Sequence, residues 1–408
     1  MFNWDELKSG FPEELRRQQV FQTAGAKPHG KLLFGLGAIE RLPEEASRLA
    51  GGKALLITGK HVRGMGMADF AGGLLERGGF TVTICDDVEP EPTIETGERV
   101  LDLCRRGGFS LVVGLGGGSP MDTAKACAIL ARDTISVDEY MRGKPVSATA
   151  VPKILIPTTS GTGSEMNGAS VFRYAEKKAS YAHPQGFADV ALVDPALTAT
   201  MPPRVTVATG LDALSHAVEA CVSLNTTTIS EPLAFKSVEY VFRYLKRAAV
   251  NGLDFEARNY MAWASVLGMM AYTAVGGLYA HSFSYILTMH REQPHGTGCG
   301  ISLPYTLMLN ISEIEPVLVR MASVVGVETR GMSSREIAVK VIDRFMWLLQ
   351  DLGVAADLKS YGFSEADAHW MARELVEKYY RKANPRNLDV DTAENLMRSM
   401  LEGKPRPV

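Results

Sequence analysis

Two side chains four residues apart, Asp212 and His216, lie in the stretch TGLDALSHAVEA at residues 209–220. On an α-helix this spacing places a carboxylate and an imidazole on one face. Together they can supply two ligands to a divalent cation, although such a pair is more commonly a surface contact. The rest of the stretch is small and apolar, and burying polar groups without partners is costly. We therefore expect further polar partners from elsewhere in the chain.

Two histidines in HSFSYILTMHREQPHGTG are the candidate partners, His281 and His295. One carboxylate and three imidazoles suit Fe²⁺ or Zn²⁺, and the lack of further oxygen ligands argues against Ca²⁺ or Mg²⁺. His290 lies between the two and is the rival ligand. The sequence thus predicts a metal centre of Asp212, His216, His281 and His295.

A glycine-rich turn follows the apolar run LVVG, with Gly116, Gly117 and Gly118 preceding Ser119. Ser119 is a good N-cap, and Asp122 three residues later completes the pattern of a capping box. A glycine loop that opens a helix after a buried strand can bind phosphate through its free N–H groups. The alternative is a plain tight turn between a strand and a helix.

A second loop, PTTSGTGSE at residues 157–165, follows the apolar run KILI. Its hydroxyls include Thr158, Thr159 and Ser164, interleaved with glycines. Because open α/β sheets bind ligands at the carboxyl ends of their strands, we expect this loop to line a cofactor. The alternative is a solvent-exposed loop.

Short apolar runs alternate with helical patterns up to about residue 200, and only helical patterns follow. The first arrangement is typical of a parallel sheet with helices on both faces. The predicted fold class is therefore α/β plus all-α, with a Rossmann-like parallel-sheet domain at 1–200 and an all-helical metal-binding domain at 201–408. Residues 261–280 carry no charge, and we interpret them as a buried helix rather than a membrane span.

Composition excludes several classes of partner. A net charge of −3 attracts neither nucleic acid nor an anionic membrane surface. The five cysteines form no CxxC pair, and the polar N-terminus is not a signal peptide. A reducing, cytoplasmic setting is expected.

In combination, these motifs resemble the iron-containing (group III) alcohol dehydrogenases of the dehydroquinate synthase-like superfamily. The resemblance runs nearly end to end, through FGLG at 34–37, GGGSPMDTAKA at 116–126, PTTSGTGSE at 157–165, VDPALT at 193–198, MPP at 201–203, TGLDALSHAVEA at 209–220, PHG at 294–296 and NPR at 384–386. It implies a metal on the four residues above and a nicotinamide dinucleotide with its pyrophosphate on residues 116–119. It also implies nicotinamide-side contacts from Asp122, Thr158 and Thr159, and a lysine, Lys178, near the cofactor.

The chain departs from the family pattern at two positions. Tyr285 stands where many members carry a second histidine near the nicotinamide, and a tyrosine is a poor relay base near neutrality because its ordinary pKa is about 10. Gly59 stands where NAD-preferring members often carry an aspartate on the ribose, and Lys60 follows it. We expect Tyr285 and Asp122 to act catalytically, and Gly59 and Lys60 to accept NADP as well as NAD.

The expected function is a metal-dependent, NAD(P)-linked alcohol dehydrogenase or aldehyde reductase acting on a small alcohol or aldehyde. A homodimer or larger homo-oligomer is expected, with no nucleic-acid or membrane partner. The alternatives are a dehydroquinate synthase-like or glycerol dehydrogenase-like zinc enzyme, or a nucleotide-binding homologue without turnover.

Overall fold

A computed structural model describes residues 2–13, 21–22, 30–174 and 177–407. The chain divides into two compact units. The first comprises Met1–Thr159, Gly163–Met201 and Leu253–Ala262, and the second comprises Ser160–Thr162, Pro202–Gly252 and Trp263–Val408. The predicted domain limits of 1–200 and 201–408 stay a prediction.

The first unit is built on a sheet whose described part has seven strands. The strands of this unit are β1 (Phe21–Gln22), β2 (Lys31–Phe34), β3 (Lys53–Ile57), β4 (Thr81–Cys85), β5 (Leu111–Gly116), β6 (Lys153–Pro157), β7 (Ala169–Arg173), β8 (Lys178–Ala182) and β9 (Val190–Val193). The order in the main sheet is β1-β2-β9-β6-β5-β3-β4, with every neighbouring pair parallel except β1 and β2. The predicted parallel-sheet domain is confirmed. The separate antiparallel hairpin of β7 and β8 was not predicted.

Helices connect these strands and cover the sheet. They are α1 (Trp4–Gly10), α2 (Leu42–Leu49), α3 (Lys60–Gly64), α4 (Met67–Arg77), α5 (Ile94–Gly107), α6 (Gly118–Leu130) and α7 (Val137–Met141). Strands β5 and β6 are buried along their whole length, as expected for a parallel sheet covered on both faces.

The strand order reverses beside β3, which pairs with β4 on one side and with β5 on the other. In open α/β sheets, ligands bind outside the carboxyl ends of the strands at such a reversal. The turns that leave β3 and β5 contain Gly59 and Gly117. The fold therefore places the predicted phosphate loop at the position where this class of sheet binds nucleotides.

The second unit is helical throughout its described elements. Its helices are α8 (Pro203–Val222), α9 (Ser230–Val250), α10 (Phe255–Val275), α11 (Tyr279–Arg291), α12 (His295–Leu309), α13 (Ile311–Met321), α14 (Ser334–Asp351), α15 (Ala368–Lys378) and α16 (Val390–Glu402), and the first residues of α10 belong to the first unit. A Cβ atom on Gly210 of α8 would lie 2.2 Å from Leu245 Cδ1 of α9, so glycine permits their close packing. In the described chain no single helix is long and apolar enough to cross a membrane. Only α10 and α11 taken together, with a bend of 107° between them, reach that length and composition.

Candidate metal centre and cofactor loops

Three helices of the second unit bring the predicted metal ligands together. Helix α8 carries Asp212 and His216 one turn apart, α11 carries His281 in its first turn, and α12 begins at His295. The distances from Asp212 Oδ1 to the imidazole Nε2 atoms are 3.8 Å for His216, 3.7 Å for His281 and 3.8 Å for His295. Three imidazole nitrogens thus surround one carboxylate oxygen.

Two of these ligand atoms are buried without a hydrogen-bond partner among the described residues. They are Asp212 Oδ1 and His281 Nε2, on side chains whose residues are only 3% and 2% exposed. Leaving buried polar atoms unpaired is costly, most of all for a carboxylate. A divalent cation between them would satisfy both atoms, so the donor set fits the metal that the sequence predicts.

The sequence did not single out Cys299, which belongs to the same cluster. The ligand atoms of Asp212, His281, His295 and Cys299 all lie within 4.8 Å of one another. Cys299 Sγ lies 3.7 Å from His295 Nε2, one helical turn further along α12. The i, i+4 spacing from His295 repeats that of Asp212 and His216, and it was the available signal.

Glu219 of α8, also missed from sequence, fixes the orientation of His281. One carboxylate oxygen accepts from the backbone N–H of Ala280 and His281, at 2.8 and 3.3 Å. The other accepts from the backbone N–H of Leu278 at 2.9 Å and lies 2.7 Å from His281 Nδ1. An acceptor-only carboxylate at that distance requires a proton on Nδ1, which leaves the Nε2 lone pair for a metal.

Ser284 has the same effect on His295. Its hydroxyl donates to the carbonyl of His295 at 2.6 Å and lies 2.7 Å from His295 Nδ1. Because the hydroxyl has only one proton, Nδ1 must donate in the second contact. The Nε2 atom of His295 is therefore also in the form that binds a metal.

Burial shapes the protonation of the cluster. It lowers the pKa of His216 to about 4, against the opposing effect of the Asp212 charge, so this imidazole is neutral near pH 7. Burial would raise the pKa of Glu219, but contact with His281 and the backbone donors outweigh it, and the pKa is lowered. A neutral His216 imidazole is the form that can bind a metal, and an ionised Glu219 is the form that can accept from His281.

The rival ligand His290 lies outside the cluster. Its Nε2 atom is 2.9 Å from Glu374 Oε2, and its ring packs against Trp370 with the centroids 4.6 Å apart. These partners satisfy the side chain without a metal.

Tyr285 lies beside the cluster, one turn after His281. Its ring stacks on His295 with centroids 5.4 Å apart and planes at 23°. The guanidinium of Arg381 lies 5.9 Å from the Tyr285 ring centroid, and its Nε donates to Ser282 at 2.8 Å. The residue that replaces the family's second histidine therefore borders a proposed ligand.

The glycine turn at residues 116–118 does not form the N-cap that was predicted at Ser119. Helix α6 begins at Gly118 with Gly117 as its N-cap and has no side-chain cap among the described residues, so the predicted N-cap and capping box at Ser119 are wrong. Gly116 has a φ of 147°, which a residue with a side chain rarely adopts. This conformation lets the chain turn at Gly116, so the helix begins earlier in the sequence than predicted. Ser119 instead accepts a hydrogen bond from the backbone N–H of Glu91 at 3.1 Å. The first N–H groups of α6 are thus left without a side-chain cap, as a phosphate site requires.

The loop at residues 157–165, called the hydroxyl loop from here on, lies beside the glycine turn at residues 116–118. Gly116 and Pro157 are register partners at the ends of β5 and β6, and Thr158 N–H donates to Gly116 O at 2.8 Å. A Cβ atom on Gly117 would lie 3.5 Å from Thr159, whose buried hydroxyl has no partner in the described structure. The predicted neighbours Gly117, Thr158 and Thr159 are therefore adjacent.

Asp122 is engaged by protein groups in this structure. Its Oδ1 accepts from Ser164 Oγ at 2.5 Å and pairs with Lys125 Nζ at 2.8 Å, while Oδ2 accepts from Val171 N–H at 3.0 Å. The carboxylate thus ties α6 to the hydroxyl loop and to β7. The catalytic and cofactor-binding roles expected of Asp122, and the cofactor contact expected of Ser164, stay predictions.

Lys178, Gly59 and Lys60 are the remaining residues predicted to bind the cofactor. Lys178 Nζ is 2.5 Å from Glu91 Oε2, and Glu91 in turn contacts Ser119, so Lys178 is linked to the glycine turn. Gly59 is the N-cap of α3, and the Lys60 that follows is exposed.

Comparison with known proteins identifies the family. Residues 28–195 match the iron-containing alcohol dehydrogenase family, and residues 206–401 match the C-terminal domain of the Fe-containing alcohol dehydrogenase family. The chain belongs to the iron-containing alcohol dehydrogenases. Its sequence is 35% identical over 347 residues to Long-chain-alcohol dehydrogenase 1 of Geobacillus thermodenitrificans, and the matched residues cover 84% of this chain and 88% of that protein.

Solved structures agree with this assignment. The fold resembles a 1,3-propanediol oxidoreductase with a TM-score of 0.87 and 29% identity, over 94% of this chain and 99% of the other. It also resembles sulfoacetaldehyde reductase from Bifidobacterium kashiwanohense, solved in complex with NAD⁺, with a TM-score of 0.80 and 27% identity over 93% and 98%. The predicted recognition, fold class and oxidoreductase activity on alcohols and aldehydes are confirmed, together with a metal of the iron type and a nicotinamide cofactor.

Proposed function

We propose that Asp212, His216, His281 and His295 hold the divalent metal of an NAD(P)-linked alcohol dehydrogenase or aldehyde reductase. The observation that supports this is the set of three imidazole Nε2 atoms within 3.8 Å of Asp212 Oδ1, a buried atom with no hydrogen-bond partner among the residues that the structure describes. When bound, the metal supplies Lewis acidity toward the substrate oxygen, and the nicotinamide exchanges a hydride with the carbinol carbon.

Groups of this chain are already arranged to bind both the metal and the cofactor. Glu219 and Ser284 hold His281 and His295 in the orientation whose Nε2 can bind a metal, so little reorganisation is needed when the metal binds. The uncapped start of α6 offers N–H groups and the positive end of a helix dipole to the pyrophosphate.

Tyr285 is the proposed donor of a hydrogen bond to the substrate oxygen or to a water beside it. Its ring packs on His295, and a phenol can donate at neutral pH even though it is a weak base. Replacement by phenylalanine should lower kcat by more than about threefold without changing metal content, since groups that move protons contribute roughly 10²–10⁴-fold. A smaller change would mean that Tyr285 has no part in the proton route.

The cofactor preference is proposed to include NADP(H). Gly59 offers no carboxylate to repel a 2′-phosphate, and the adjacent Lys60 is exposed and positive. Arg63 is a second nearby cation, but it pairs with Asp69 at 3.0 Å and is therefore less able than Lys60 to bind a 2′-phosphate. We therefore expect kcat/KM with NADPH to equal or exceed that with NADH, and a wild-type preference for NADH of about tenfold, or 1.4 kcal/mol, contradicts this.

Lys60→Glu is the variant that should move the preference toward NADH. Gly59→Asp is a less clean test, because a Cβ atom there would lie 2.9 Å from the carbonyl oxygen of Val88 and the backbone would have to shift. The exposed Lys404, in the other unit, provides a control: Lys404→Glu makes the same charge change and should leave the preference unaltered.

The metal assignment is tested by a pair of histidine variants. His281→Ala should lose bound metal and aldehyde reductase activity together, because it removes one ligand and exposes Glu219 to an empty space. His290→Ala should keep both, since His290 pairs with Glu374. Metal analysis of the purified proteins and assays with small aldehydes measure the two properties, and full metal content in His281→Ala refutes the assignment.

We also propose a cellular compartment and an oligomeric state for this protein. All five cysteines, which lie in the described part of the chain, are free and buried, and this favours a reducing cytoplasmic setting. We propose a homodimer or larger homo-oligomer, which sedimentation of the purified protein would test; a monomer at all concentrations argues against it.

A further inference from the structure

Cys299 is fully buried at the metal cluster and has no role in the function proposed above. It lies on α12 one turn after His295, and its Sγ is 3.7 Å from His295 Nε2. The ligand atoms of Asp212, His281, His295 and Cys299 form a group in which no two are more than 4.8 Å apart. Metal–ligand bonds of about 2.0–2.3 Å in a tetrahedral zinc site place the ligand atoms roughly 3.3–3.8 Å apart, so small side-chain movements would bring all four atoms onto one ion.

Close helix packing holds Cys299 at this position. A Cβ atom on Gly298 would lie 2.8 Å from Ser284 Oγ of α11, and one on Gly300 would lie 2.8 Å from Leu211 Cδ1 of α8. Glycine on both sides of Cys299 therefore lets α12 approach both neighbouring helices. The sulfur is placed by the packing of three helices, so its proximity to Asp212 is built into the fold.

Two other atoms of the group independently indicate a ligand. Asp212 Oδ1 and His281 Nε2 are unpartnered among the described residues, and both residues are more than nine-tenths buried. They face the same small volume as the sulfur, because all the ligand atoms lie within 4.8 Å of one another. An ion that satisfies the two unpaired atoms is therefore within reach of Cys299.

We propose that Cys299 is a metal ligand, and that it replaces His216 as the fourth donor when the ion is Zn²⁺ or Co²⁺. The inference rests on the proposed function in one respect, that this cluster binds a divalent metal. Asp212, His281 and His295 are common to both ligand sets. Imidazole and carboxylate donors suit Fe²⁺, whereas a thiolate favours zinc. On coordination the Cys299 thiol loses its proton to solvent and the sulfur forms the bond to the metal as a thiolate.

The direct test is the absorption spectrum of protein stripped of metal and reloaded with Co²⁺. The wild-type protein should show a near-ultraviolet charge-transfer band from thiolate to cobalt. Cys299→Ser should lose this band while keeping the visible bands of bound Co²⁺. Cys221→Ser, a substitution of another buried cysteine in the helical unit, should keep both. Wild-type protein with full Co²⁺ and no thiolate band refutes the proposal.

Two variants should show opposite metal preferences. Cys299→Ser should weaken Zn²⁺ binding by about 100-fold or more and leave Fe²⁺ binding nearly unchanged, and His216→Ala should do the reverse. Loss of a group that merely positions a ligand costs roughly 10–100-fold, so a direct ligand should reach or exceed that range. Equal effects of the two substitutions on both metals, measured by competition with a chelator, overturn the assignment.

The same measurements separate this proposal from the proposed function. If wild-type protein binds neither Fe²⁺ nor Co²⁺, the metal centre itself is wrong. If it binds both and His281→Ala abolishes binding, but the thiolate band is absent, only the role of Cys299 fails. Cys299→Ala provides a second variant should serine not be accommodated in the buried site.

Discussion

At the scale of single residues, the proposed metal site depends on side chains that are not themselves proposed ligands. Glu219 receives three backbone N–H groups as well as His281 Nδ1, so it fixes both the start of α11 and the imidazole it carries. A carboxylate behind a histidine also increases the electron density that the ligand offers. Glu219 is therefore the positioning residue whose removal should be most damaging.

We expect Glu219→Gln to weaken metal binding by about 10–100-fold, because an amide presents N–H groups where two backbone donors already point. Titration of metal-free protein with Fe²⁺ or Zn²⁺ in the presence of a competing chelator measures this. Glu374→Gln is a matched control, since Glu374 accepts from His290 in a carboxylate–histidine pair outside the cluster. Equal losses in the two variants would show that the effect is general destabilisation.

At the scale of elements, the turn between β5 and α6 is the proposed pyrophosphate site of the first unit. Gly117 has an ordinary extended backbone, and a Cβ atom there would meet only Thr159, at 3.5 Å. Gly116 is different, because its φ of 147° and a Cβ position 2.5 Å from Pro120 make substitution disruptive. Gly117 is therefore the position where bulk can be added without unfolding the turn.

Gly117→Val should raise the KM for the nicotinamide cofactor strongly while the protein stays folded, because the side chain would occupy the space in which the pyrophosphate approaches the backbone. Cofactor binding by fluorescence or calorimetry, with circular dichroism for the fold, provides the measurement. Unchanged affinity in a folded variant would mean that this is an ordinary turn between a strand and a helix.

The segment after α6 is held by one carboxylate with many donors. Asp133 accepts from the backbone N–H groups of Thr134, Ile135, Ser147 and Ala148 and from the Ser147 hydroxyl. These bonds, with that from Ser147 N–H first, hold the pKa of Asp133 far below its ordinary value of 3.8. A lowered pKa in the folded state means that the stabilisation is present above the unfolded-state value and is lost as pH falls below it.

Asp133→Asn should accordingly lower the Tm at pH 7, and the difference from wild type should shrink as the pH falls below about 4. Thermal unfolding followed by circular dichroism across this range checks both statements. Asp138→Asn removes the same charge from an exposed pair with Arg142 and should change the Tm little. A Tm difference for Asp133→Asn that is independent of pH would contradict the electrostatic account.

At the scale of the whole molecule, the two kinds of unit and the positions of the loops could be predicted from sequence. Buried parallel strands give continuous apolar runs such as KALLIT, and glycines at their carboxyl ends mark ligand loops. The N-cap at Gly117 could not be predicted, because the bond that occupies Ser119 comes from Glu91, far away in sequence. Glu219 was missed for the same reason, since its partner His281 lies on another helix, whereas Cys299 did carry a signal in its i, i+4 spacing from His295.

The division into two units also leads to a prediction of where metal and cofactor binding should change the hydrogen exchange of backbone amides. The proposed metal ligands come from α8, α11 and α12 of the helical unit, and two of their buried atoms, Asp212 Oδ1 and His281 Nε2, have no hydrogen-bond partner within the described chain. A ligand at 100 times its Kd stabilises the state that binds it by about 2.7 kcal/mol. Removal of the metal should therefore lower the protection of amides in these three helices.

Hydrogen exchange of metal-free and metal-loaded protein, read by mass spectrometry, tests this prediction. Loading should slow exchange in 203–222, 279–291 and 295–309, and leave β3, β5 and the start of α6 unchanged, because local opening reports on local contacts. Addition of the nicotinamide cofactor alone should have the opposite distribution and protect residues 116–119. Asp212→Ala should remove the response to metal and retain the response to cofactor. A uniform response of all helices and strands to either ligand would mean that the chain opens only as one cooperative whole, and the two ligands could not then be assigned to separate units in this way.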